Sequence, residues 1–162
     1  MENRVGRVAS FHKGELAKAE LTVQELESQL EHVRSILRER QAEKQSLNPE
    51  QQIAASGGDI NRLVSLENRK SAVDKTIAEL ISAETECVER IESARRYLYT
   101  LYVRLEKLRK EARELMRRLQ SMEDPNARTQ EVETNLSRVK IQIKAIVGEV
   151  KTGQLLTGLG GK

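Results

Sequence analysis

Residues 63–122 read "LVSLENRKSAVDKTIAELISAETECVERIESARRYLYTLYVRLEKLRKEARELMRRLQSM". Apolar side chains return in alternating steps of three and four: Leu63, Leu66, Val73, Ile77, Leu80, Cys87, Ile91, Ala94, Leu98, Leu101, Leu105, Leu108, Ala112, Leu115, Leu119 and Met122. Only Lys70 and Glu84 interrupt that register. A step averaging about 3.5 residues keeps one stripe on one side of a helix, which is the heptad pattern. No Gly or Pro occurs between Gly58 and Pro125. The stretch therefore predicts one helix over about 59–123, which at ~1.5 Å per residue is about 97 Å long.

Two further heptad stripes flank it. The first runs from Val5 through Leu16, Ala19, Val23, Leu26, Leu30, Val33 and Leu37 to Leu47, with Arg40 and Lys44 as polar interruptions. It predicts a helix over about 5–47. The last comprises Val132, Leu136, Val139, Ile143, Ile146 and Val150, predicting a helix over about 126–152. Between the first two helices, residues 48–58 hold Asn48-Pro49 and Gly57-Gly58, with Asp59 as the N-cap of the second helix. Asn48 is placed to cap one short extra turn in that connection. Asp124 and Pro125 stand as N-cap and first residue of the third helix. Four glycines in the last ten residues mark 153–162 as a flexible tail.

The expected fold is all-α: an elongated antiparallel coiled-coil hairpin over 1–123, with a shorter third helix after Pro125 in segment 124–152. A first turn centred near residue 53 makes partner numbers total about 107. Leu30 then faces Ile77, Leu16 faces Ile91, Val5 approaches Tyr102, and Glu67 lies near Arg40. If a second turn centres on Pro125 the total becomes about 250, and the third helix folds back to meet the first near Tyr97–Tyr102; the alternative is that it runs straight on.

Composition agrees with narrow seams rather than a globular core. Charged residues make up 33%, aromatics 2%, and Trp is absent. The net charge of +3 is unevenly placed: residues 59–94 carry −3, whereas 95–120 carry +6. Such polarity suits different partners at two places, the basic one steered onto an acidic surface. Cys87 is the single cysteine, which excludes an intrachain disulfide and suits a reducing, cytoplasmic setting. No apolar run reaches the ~18 residues of a membrane span.

Little chemistry is written into the chain. His12 and His32 have no neighbouring Cys or His at ligand spacing, so no metal or other cofactor is expected. Cys87 lies on the buried stripe, and no glycine loop of the phosphate-binding type is present. The expected role is non-enzymatic, through protein partners. The candidate contact set is Tyr99, Tyr102, Val103, Arg104, Lys107, Arg109, Lys110, Arg113, Arg117 and Arg118. Tyr97 and Tyr102 flank the seam at a joint, while Tyr99 and Val103 face outward. Glu106, Glu111 and Glu114 interrupt the basic run, which argues against nucleic acid.

"GELAKAELTVQELESQLEHVRSILRERQAEKQSL" (14–47) and "INRLVSLENRKSAVDKTIAELISAETECVERIESARRYLYTLYVRLEKLRKEARE" (60–114) resemble the first and second helices of the FliJ/YscO family, the stalk proteins of flagellar and type III secretion export ATPases. The resemblance implies a helical hairpin that docks in the ATPase ring and contacts the export gate. It implies an ATPase-facing end containing Arg4, Arg7, Lys13 and the basic residues from Arg104 to Arg118. The Gly-Gly connection, the Pro125 break with a further helix and the glycine-rich end depart from that pattern. The other expectation is a cytoskeletal or viral scaffold or tether that forms a homo-oligomer through the third helix; a basic rod for nucleic acid or anionic membrane ranks below both.

Overall fold

The computed structural model describes residues 14–121 and 127–148. They form three helices: α1 (Glu15–Ser56), α2 (Ile60–Ser121) and α3 (Ala127–Val147). No strand occurs among the described residues. The expectations for Val5, His12, Arg4, Arg7, Lys13, Val150 and the 153–162 tail lie outside them, as do Asp124 and Pro125.

The largest departure from the sequence reading is at Pro49. No break occurs there; α1 runs through it to Ser56. Proline removes one backbone donor and crowds the preceding turn, at a cost of about 3 kcal/mol in a helix interior. Leu47, 1% exposed, and Ala54, 3% exposed, continue the stripe on either side and bury against Leu66 and Val73 of α2. That packing outweighs the local penalty. The connection shrinks from 48–58 to three residues.

The turn itself obeys backbone chemistry. Gly58 has φ 67°, a left-handed conformation that an L side chain resists. Its N–H donates to the Ala55 carbonyl at 3.3 Å, and the Asp59 N–H donates to the Ala54 carbonyl at 3.1 Å. These two bonds are a Schellman C-cap for α1. Asp59 then caps α2, as expected: its Oδ1 accepts from the Arg62 N–H at 3.1 Å.

α1 and α2 pack together more than any other pair of helices. Moving the turn to 57–59 shifts the register. Arg34 meets Glu84 and Lys44 meets Asp74, partner numbers totalling 118 in both cases, while Glu43 meets Arg69. The expected pairing Leu30–Ile77 therefore does not form, and Leu16 belongs to a cluster with Leu101 and α3. Nor does Arg40 reach Glu67; it pairs with Glu43 on its own helix at 2.7 Å.

The described residues group into two compact units. One is Val23–Ser93, with a small core of Leu47, Ala54, Leu66 and Val73. The other combines the start of α1, up to Thr22, with α2 from Ala94 onward and α3. There α3 folds back: Val132, Leu136, Val139, Ile143 and Ile146 bury against Leu101, Leu105, Leu108, Ala112 and Leu115 of α2 and Leu16 and Ala19 of α1. Arg138 pairs with Glu111 at 3.1 Å, a partner total of 249, which agrees with the second expected register.

Candidate docking face on α2

The segment 94–121 of α2 has three neighbourhoods. Its buried stripe, Leu101 to Leu115, is covered by α1 and α3. Its flanks contact those helices through polar tips: Tyr102 toward α1 and Glu111 toward α3. What remains is an outer stripe of Tyr99, Val103, Glu106, Lys107, Lys110, Arg113, Glu114 and Arg117, all exposed except the half-buried Glu114. Heptad spacing explains the division, since residues three and four apart share a face.

The ten expected contact residues divide accordingly. Tyr99 is 71% exposed and Val103 36%, leaving an apolar pair one turn apart. Arg104, Lys107 and Lys110 have no side-chain partner among the described residues. Arg113 lies 3.9 Å from Glu106, a loose pairing. Arg117 and Arg118 instead hold Glu114, at 2.9 and 3.3 Å. The Arg117 guanidinium, with Arg118 beside it, keeps the Glu114 carboxyl below the ordinary carboxylate range. Arg109 turns partly inward, its Nε buried without a hydrogen-bond partner.

Tyr102 belongs to the joint rather than to the outer face. Its hydroxyl donates to Glu20 Oε1 of α1 at 2.7 Å. That bond, reinforced by partial burial, pushes the phenol above its ordinary value. Tyr97 stays 53% exposed. The joint also rests on Gly14, which the sequence reading missed. A Cβ there would stand 2.3 Å from the Ile146 carbonyl oxygen and 2.5 Å from the Gly148 nitrogen. Gly148 itself adopts φ 82° and donates to the Lys144 carbonyl at 2.8 Å, closing α3. The start of α1 thus meets the end of α3 here. A signal existed, since Gly14 is the only glycine between Gly6 and Gly57. Without knowing what lay opposite, the signal had no reading.

The third helix uses its apolar stripe inside this unit, where Val139 is fully buried and Ile143 and Ile146 are 1% exposed. The surface expected to join copies of the chain is therefore covered within one chain, and Ile141, 69% exposed, is its one large outward aliphatic among the described residues.

A groove of about 690 Å³ opens in the Val23–Ser93 unit, lined by Asn48, Gln51, Leu63, Lys70 and Asp74 among others. It lies where seam residues are polar, and it is open to solvent rather than enclosed. Cys87 does not line it. Among the described residues no cluster of His, Cys, Asp and Glu is arranged to hold a metal ion. No described helix is long and apolar enough to cross a membrane. Comparison with known proteins found no match among family models, curated proteins or solved structures.

Proposed function

We propose that the protein is a non-enzymatic helical adaptor in which α1 and α2 wind as an antiparallel coiled-coil hairpin and the outer face of α2 docks a protein partner. One observation carries the docking role: Arg104, Lys107 and Lys110 stand unpaired beside exposed Tyr99 and Val103 on a helix whose inner face is already covered. The hairpin is supported by the ion pairs, whose α2 member falls from Glu84 to Asp74 as the α1 member rises from Arg34 to Lys44. In its sharper form the reading is a stalk or adaptor of a type III or flagellar export ATPase, working in the cytoplasm, supported by the resemblance of residues 14–47 and 60–114 to FliJ/YscO proteins.

The sharper form is tested by sedimentation of the full chain with a purified export ATPase ring. A complex that weakens with salt, and is lost with Lys107→Glu/Lys110→Glu, is the expected result. No complex in low salt sinks the stalk form. A complex indifferent to the double reversal sinks the docking face.

A further inference from the structure

The uncovered face of α2 has its own helical register. Tyr99, Val103, Glu106, Lys110, Arg113 and Arg117 succeed one another at steps of four, three, four, three and four. Those are the steps that one helix presents to another lying along it. From Tyr99 to Arg117 the stripe spans about 27 Å, at ~1.5 Å per residue, or five turns. Building on the docking role proposed above, the geometry points to a specific occupant: an acidic amphipathic helix of the partner, about 18 residues long, laid along this stripe. Its apolar end covers Tyr99 and Val103, and its carboxylates meet Lys107, Lys110 and Arg113.

Three features select that occupant. The apolar first turn, with Tyr99 71% exposed, needs an apolar complement, which a phosphate backbone lacks. Glu106 sits mid-stripe and is held only at 3.8–3.9 Å by Arg109 and Arg113. Its charge repels a continuous polyanion, but one basic or neutral residue on a partner helix accommodates it. A second copy of the same face is disfavoured by sign. Lys107, Lys110, Arg113 and Arg117 outnumber Glu106 and Glu114 on the stripe, so two copies bring net positive charge together. Glu114 is moreover already engaged by Arg117 and Arg118.

The test uses the full chain and fluorescence anisotropy with three labelled probes. The first is an 18-residue peptide with two Leu one turn apart and Glu at heptad steps on the same face. The second is a scrambled peptide of identical composition, and the third an 18-base-pair DNA duplex. Vesicles containing phosphatidylglycerol serve as a fourth probe by co-sedimentation. The patterned peptide is expected to bind at least about tenfold more tightly than the scrambled one. Lys107→Glu/Lys110→Glu abolishes this binding. Tyr99→Ser narrows the difference between the two peptides. All three positions are solvent-facing, and circular dichroism checks that the variants keep their helices. Equal binding of the two peptides, with loss on charge reversal, overturns the helix ladder but leaves the basic docking face standing. Absence of peptide binding, or binding that survives the reversal, overturns both. Tighter binding of duplex or vesicles than of the patterned peptide replaces the acidic helix with a polyanion.

Discussion

The two compact units solve the same problem with different means. In Val23–Ser93 two helices share a narrow seam, and the contiguous core is four buried residues with Leu63 and Ile77 against it. Cross-helix ion pairs, Arg34–Glu84, Lys44–Asp74 and Arg69–Glu43, line its flanks. In the other unit a third helix covers α2, and thirteen buried residues form one cluster. There Arg138–Glu111 ties α3 to α2 at the rim of that cluster. Two helices cannot enclose a side chain on all sides, so polar contacts at the rim set register. Three helices enclose a core, and packing does that work itself.

The contrast is broken or sharpened most strongly by truncating one core residue in each unit. Ile143→Ala, at a site 1% exposed, should cost about 3–5 kcal/mol, whereas Leu66→Ala in the two-helix seam should cost about 2–3 kcal/mol. Urea denaturation of both variants decides; an equal or larger loss at Leu66 removes the distinction. Next comes Gly14→Ala. The new methyl collides with backbone atoms of 146–148 rather than a yielding side chain, so the loss should be about 1–3 kcal/mol. Hydrogen exchange at the Gly148 amide should quicken while amides of 63–73 stay protected. Uniform quickening would place the effect elsewhere.

Smaller effects come from the rim. Glu84→Gln removes the charge from the 2.7 Å contact with Arg34, which is partly exposed, so the loss should be about 0.2–1 kcal/mol and should vanish near 1 M salt. A salt-independent loss would show that Glu84 acts through packing.

The smallest effect is a pair of opposite pH responses. The Arg40 guanidinium, then that of Arg69, holds the Glu43 carboxyl below 4.5, so its tie is present above 4.5 and lost as acid passes the folded value. The Tyr102 phenol lies above 10.0 because Glu20 accepts its proton, so that tie is present below 10.0 and lost as alkali passes the folded value. Carboxyl NMR titration should give Glu43 a midpoint under 4.5. The absorbance difference between the chain and Tyr102→Phe should give a phenolate midpoint above 10.0. A Tyr102 midpoint at or below 10.0 would deny the bond to Glu20.

Much of this architecture is legible residue by residue. The stripe from Leu98 to Leu119 names the inner face of α2, and so it names Tyr99 and Val103 as outward. Asp59 declares itself a cap because a short carboxylate before a helix satisfies free amides whatever surrounds it. The second register follows from the short separation of α2 and α3 once α3 folds back, but the heptad pattern left open whether it folds back or runs on. Arg109 and Tyr102 were not separable from Lys107 and Lys110 by pattern, since flanking positions belong to whichever helix lies beside them.

The heptad spacing by itself determined three helices, an inner stripe on each, and the uneven placement of charge, because these depend only on neighbours along one chain. Tertiary structure decided that Pro49 stays helical, that the turn is Gly57–Asp59, and that Gly14 meets the end of α3. Each is a contest between a local penalty and a burial that exists only once a second helix is in place. Leu47 and Ala54 have nothing to bury against until α2 returns, and with that contact the register moves from a total near 107 to 118.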